Sequence, residues 1–112
     1  MFPRKIPKAP KRASRWRSQA HAAHVRSHAC ANCDSLQDIQ FAHVRNGSGA
    51  GMGQKPDDWR AVSLCGICHR TQHQVGEESF WQGRDVEALI DFYCRTSPRR
   101  KQIEEVRRAA AL

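Results

Sequence analysis

The chain has 112 residues and carries 19 Lys and Arg against 11 Asp and Glu, a formal net charge of +8. That length admits one domain with short tails, and no run of about 18 apolar residues exists to span a membrane. The charge is unevenly placed: residues 1–33 hold eight basic residues and no acid, whereas residues 34–112 hold 11 of each sign. A basic segment joined to a neutral body points to nucleic acid phosphates, more than to a tail that only solubilises. After Arg4 and Lys5 the chain stays polar and lacks the apolar core of a secretory signal, and Pro3, Pro7 and Pro10 suit a presequence helix poorly. The expected location is therefore the cytoplasm.

Residues 1–13 (MFPRKIPKAPKRA) are rich in proline and lysine and are expected to form a disordered basic arm. Lys8, Lys11 and Arg12, with Arg15 and Arg17 just beyond, are its expected nucleic acid contacts. Residues 14–28 predict a helix capped by Ser14, with Trp16, Ala20 and Ala23 on one face. Its His21, His24 and His28 are expected on a solvated or DNA-facing surface. Residues 36–44 alternate around Ile39 and Phe41 as a strand. Residues 46–58 contain four glycines and a proline and read as a loop, without the Gly-Lys-Ser/Thr ending of a phosphate-binding P-loop.

A second strand covers 61–64, and a helix runs from Gly66 to about Val75. A helical turn over 77–82 carries Phe80 and Trp81 as core. Val86, Leu89, Ile90, Tyr93 and Cys94 recur at i, i+3, i+4, i+7 and i+8, which gives an amphipathic helix over 85–96 with Cys94 packed inside. Ser97-Pro98 reads as the cap and first-turn proline of a last helix, Arg99 to Leu112, supported by a Glu104–Arg108 pair. The expected organisation is an arm over 1–13, a folded body over 14–96 and a C-terminal helix over 97–112.

Four of the five cysteines form Cys30-x2-Cys33 and Cys65-x2-Cys68, with 31 residues between the pairs. Each pair has the spacing of a knuckle, in which a tight turn points two thiolates at one ion. Two knuckles complete a tetrahedral four-thiolate zinc site. A disulfide framework fits less well, because the count is odd and no export signal precedes it. A redox Cys-x-x-Cys rarely comes in pairs and belongs to a thioredoxin-like pattern that is absent. Zn²⁺ tying residues near 30 to residues near 65 would supply stability that a small core lacks, so folding is expected to depend on the metal.

Three histidines add a second pattern. His43 falls near the end of the first strand. His69 follows Cys68 directly, and His73 lies four residues on, so both share one helix face and can ligate one ion. Two metal sites are expected: a closed four-cysteine site, and an open histidine site that substrate can enter.

Ala42-His43-Val44-Arg45, the glycine-rich loop and the run LCGICHRTQH over 64–73 together resemble the signature of the HNH endonucleases, the ββα-metal or His-Me finger. The closest resemblance is to the zinc-stapled branch of phages and prophages, and residues 51–58 are also similar to phage recombination-enhancement nucleases. It covers about residues 28–82. The resemblance implies a small α+β, zinc-stapled ββα-metal finger with flanking helices, hydrolysing DNA phosphodiester bonds by nicking or cutting. It implies His43 as general base, His69 and His73 as ligands of a catalytic Mg²⁺, Mn²⁺ or other divalent cation, and Arg45 as a phosphate contact. A partner in phage DNA processing is a weaker implication.

Two positions depart from the family pattern. Ala42 stands where a metal ligand often precedes the base, which makes Asp58, with Asp57 behind it, the candidate replacement ligand. Arg60 stands about where the central Asn would orient the base, and the Asp57-Asp58 pair is the candidate substitute. The alternative from a different class is a non-catalytic zinc module that binds nucleic acid. Residues 34–93 sum to −4 and the last 19 residues to +4, so DNA affinity is expected from the 1–33 segment and the C-terminal helix.

Overall fold

Two short strands form the centre of the protein. In the computed structural model, which describes residues 15–49 and 54–111, β1 (Ile39–His43) pairs antiparallel with β2 (Ala61–Cys65). The register sets Ile39 opposite Cys65 and His43 opposite Ala61. Five helices accompany the hairpin among the described residues: α1 (Gln19–Arg26), α2 (Gly66–Val75), α3 (Glu77–Trp81), α4 (Val86–Thr96) and α5 (Arg100–Ala110). The expected arm over 1–13 lies outside the described residues, and Lys8, Lys11 and Arg12 with it.

The chain is thus a small α+β fold with one two-stranded sheet. β2 (AVSLC) is buried at every position because α1, α2 and α4 all pack on the hairpin. Val25, Val44, Val62, Leu64, Ile90, Tyr93 and Ile103 form the core. Full burial of each aliphatic side chain is worth about 1.5–3 kcal/mol. Ile103 brings α5 into this same core, and Arg107 of α5 pairs with Asp91 at 2.9 Å and lies over the Trp59 ring at 4.6 Å. The expected stripe on α4 is present, with Ile90, Tyr93 and Cys94 buried. The Cys94 thiol donates to the Trp59 carbonyl at 3.4 Å, and burial pushes its pKa up to about 11. Trp81 is buried as expected. Among the described residues no helix is long and apolar enough to cross a membrane.

The helices α1 and α5 differ from the sequence expectation in three respects. α1 starts at Gln19 instead of 14, capped by Ser18, whose hydroxyl accepts from His21 N at 3.1 Å. The residues before it are non-helical, because the Trp16 amide donates to Asp57 Oδ1 at 2.7 Å and the Ser18 amide to Asp58 Oδ2 at 2.8 Å. The two carboxylates thereby fix the segment against the 57–58 loop in place of a first helical turn. The histidines of α1 are not a solvated face. His21 is fully buried with Nδ1 2.9 Å from Ser97 Oγ, and His24 Nε2 sits 2.8 Å from Thr96 Oγ1, so they dock α1 on the end of α4. Finally, α5 begins at Arg100, because Ser97 opens a turn through its carbonyl, which accepts from Arg100 N at 3.2 Å, and its hydroxyl, which accepts from Arg99 N at 3.1 Å.

Two glycines stand at the ends of α2. A Cβ on Gly66 would run into the Asp38 carboxylate, so a larger residue there needs that side chain to shift. Gly76 has φ of +87° and breaks α2 from α3, which swings Glu77 towards the end of β1.

Candidate metal centre and histidine cleft

The four cysteines of the two knuckles converge. Cys65 ends β2 and caps α2, Cys68 lies in the first turn of α2, and Cys30 and Cys33 approach from the turn after α1. Their sulfurs all lie within 4.8 Å of one another, with Cys33 Sγ 3.7 Å from Cys65 Sγ. Tetrahedral zinc with Zn–S bonds of about 2.3 Å holds its sulfurs about 3.8 Å apart, so the set fits that ion.

Hydrogen bonds hold the set in place. Asn32 Nδ2 donates to Cys68 Sγ at 3.3 Å, and Cys68 N to Cys65 Sγ at 3.5 Å. Ser63, buried in β2, ties the first knuckle down: its hydroxyl donates to Ala29 O at 2.7 Å, and its carbonyl accepts from Ala31 N at 2.8 Å. Tyr93 of α4 reaches the same hydroxyl at 2.6 Å.

The thiols are unequal. Burial opposes ionisation of Cys30, but backbone hydrogen bonds at Cys65, Cys33 and Asn32 outweigh it and bring the thiol down to about 7. Burial, with neighbouring sulfurs added, pushes Cys68 up to about 12. Four thiolates this close need a cation to ionise together.

One turn further along α2, a cleft of about 410 Å³ opens between the helix, the end of β1 and the 55–56 loop. His43, Arg45, Lys55, His69 and His73 line it. The structure therefore brings four of the expected site residues, His43, Arg45, His69 and His73, to one place. His69 Nδ1 lies 2.8 Å from Gln40 Oε1, an acceptor, so that nitrogen carries the proton and Nε2 keeps its lone pair. His73 Nε2 is 3.2 Å from His69 Nε2. Two imidazoles bonded to one ion at about 2.0–2.1 Å would hold their nitrogens about 3.3 Å apart. Burial, then the neighbouring His73 and His43, lowers the pKa of His69, which keeps it neutral and able to ligate.

His43 Nε2 lies 3.0 Å from Asp58 Oδ1. A carboxylate only accepts, so His43 donates from Nε2 and its Nδ1 carries the lone pair. The same buried carboxylate accepts from Ser18 N and from Arg17 Nη1 at 3.4 Å. Asp58 is thus spent on His43 and the N-terminal segment and is not gathered with His69 and His73. Among the described residues the four cysteines are the one group of three or more metal-type ligand atoms within 4.8 Å of one another. Of the two parts considered for Asp58, its position fits the support of His43.

Three further residues shape the cleft. Gln40 orients His69 as above. Glu77 accepts from the amides of Arg45 at 2.8 Å and Asn46 at 3.1 Å. Buried Arg60 donates to Val44 O at 3.3 Å and Asn46 O at 2.6 Å, and pairs with Glu87 at 2.6 Å. Together Glu77 and Arg60 fix the exit of β1, where His43 and Arg45 stand. The sequence marked Arg60 only as standing about where the central Asn would be; Gln40 and Glu77 had no signal.

A family model described as a protein of unknown function (DUF968) matches residues 3–89. The chain belongs to the DUF968 family. Neither a curated protein nor a solved structure matches it. In this DUF968 protein the match takes in both knuckles, the hairpin, α2, α3 and the first residues of α4. The cysteine cluster and the histidine cleft both fall within the family's own span.

Proposed function

We propose that this DUF968 protein is a metal-dependent endonuclease of the HNH type, hydrolysing DNA phosphodiester bonds in the cytoplasm of a bacterial or phage-infected cell. The carrying observation is the shared cleft: a carboxylate-supported His43 faces the same opening as two imidazoles 3.2 Å apart. A structural zinc knuckle requires none of these three groups.

On this reading His69 and His73 would hold a divalent cation such as Mg²⁺ or Mn²⁺. When bound, it supplies positive charge to the scissile phosphate and the leaving oxygen. His43 takes a proton from the attacking water at Nδ1, and Asp58 stabilises the imidazolium that results. Arg45 offers a planar fork to phosphate oxygens, and Lys55 a second positive charge across the cleft. Zn²⁺ at the four cysteines holds the start of α2 and so the helix that carries both ligands. One such site per chain nicks; a double-strand cut needs two.

A single observation favours the alternative of a non-catalytic zinc module that binds nucleic acid. Among the described residues, no third His, Cys, Asp or Glu stands within 4.8 Å of the His69–His73 pair. Supercoiled plasmid incubated with the protein in Mg²⁺ or Mn²⁺, beside His43→Ala, separates the two. Nicking by the wild type that is lost in a folded His43→Ala variant supports the nuclease. Intact plasmid and RNA in every divalent metal tried would leave the binding module.

A further inference from the structure

The segment from Trp16 to Ser18 lies about forty residues from the hairpin loop in sequence, yet it is bonded to that loop along its length. Trp16 N donates to Asp57 Oδ1 at 2.7 Å, Asp58 N donates to Trp16 O at 2.9 Å, and Ser18 N donates to Asp58 Oδ2 at 2.8 Å. Arg17 spans the same loop: its guanidinium reaches Pro56 O, Lys55 O at 3.2 Å and Asp58 Oδ1 at 3.4 Å. Asp58 Oδ1 is also the atom that holds His43 Nε2.

We propose that Trp16–Ser18, with Arg17 at its centre, is a positioning clamp that aims Asp58 at His43; the inference rests on the reading of His43 as the base. Its logic is the division of one carboxylate. Oδ2 is held by the Ser18 amide and Oδ1 is met by Arg17, and the two together keep Oδ1 directed at His43 Nε2. That bond keeps the proton on Nε2 and the lone pair on Nδ1. Arg17 compensates the buried charge of Asp58 and ties down the Lys55–Pro56 backbone from which Asp58 projects. Without the clamp the carboxylate can turn away and His43 can take the other tautomer. Arg17 then acts through Asp58, not through a phosphate, which moves it from the DNA-holding residues to the positioning residues.

The two roles separate in a rate-against-affinity measurement on the full, zinc-loaded chain. In single-turnover nicking of plasmid with Mn²⁺, Arg17→Gln lowers the rate constant about tenfold, the scale of losing an outer support residue. The Kd for DNA without metal stays within about twofold, because one cation of many contributes little to polyanion affinity. The ¹⁵N spectrum of the His43 imidazole, Nε2-protonated in the wild type, becomes a tautomer mixture. Arg17→Lys, which keeps the charge, recovers part of both readouts and covers the case in which Arg17→Gln unfolds. A raised Kd with an unchanged rate constant and an unchanged His43 spectrum would make Arg17 a DNA contact and end the clamp. If the wild type cuts nothing, the spectrum alone decides. A tautomer change in Arg17→Gln keeps the clamp while the nuclease reading falls; an unchanged spectrum removes both.

Discussion

The two candidate metal centres ride on one helix and differ in closure. The four-cysteine cluster draws ligands from both knuckles, is tied by Ser63 and Tyr93 to the core, and leaves no position for a guest. The histidine pair presents two nitrogens to an open cleft, with His73 itself exposed. A closed tetrahedral set can only stabilise, whereas an open pair leaves coordination positions for substrate and water. The chain order Cys65, Cys68, His69, His73 places the second centre at a fixed distance from the first. An ion at the cysteines would therefore also hold the helix that carries the histidine pair.

The sharpest way to break this contrast is Cys65→Ser. It removes one sulfur and alters the cap of α2, and structural zinc is worth about 10–16 kcal/mol in small modules. The expected result is loss of bound zinc together with the cooperative thermal transition followed by circular dichroism. A variant that keeps both would show that the cluster is not a staple. Next in size is His43→Ala, expected to cut the nicking rate about 10²–10⁴-fold while the urea midpoint barely moves. A collapse of the midpoint would mean that His43 holds structure and not a proton.

Gln40→Ala tests the open centre alone. With its orienting acceptor gone, His69 is expected to lose about 10–100-fold in Mn²⁺ affinity, measured by titration, at unchanged zinc content. Equal affinity would say that the pair does not ligate.

A smaller effect separates the core from both centres. Burial, then His24, lowers the pKa of His21 from 6.5 to about 4, with Asp58 opposing. The unfolded chain takes up that proton first, so this contribution is whole above pH 6.5, drains away as pH falls towards 4, and is flat below. The loss is on the order of a few kcal/mol. Urea unfolding of the wild type against His21→Gln between pH 7 and 5 reads it as a steeper decline in the wild type; parallel lines would contradict it. The mildest change is deletion of residues 1–13, which takes away five of the 19 basic residues. DNA binding should weaken and lose salt dependence, with zinc content and Mn²⁺ affinity unaffected. An unchanged salt slope would reduce those residues to a solubilising role.

Much of this architecture is local information. Ligand type and spacing place the two knuckles, because a Cys-x2-Cys turn brings its own sulfurs together wherever it sits. The i, i+4 spacing sets His69 beside His73, and the apolar period of α4 determines which residues it buries. Charge order sets a basic N-terminal third apart from a neutral remainder. What only the tertiary structure decided is who serves whom. Asp58 could be read as a metal ligand or as a support, and its 3.0 Å bond with His43 fits the support. Trp16–Ser18 read as a helix and became a non-helical segment, because carboxylates 41 and 40 positions away accept from the Trp16 and Ser18 amides. Gln40, Arg60 and Glu77 carried little or no sequence signal and yet hold the cleft residues in place. These assignments depend on which groups packing brings within hydrogen-bond reach across long stretches of chain, and no local period or spacing encodes that.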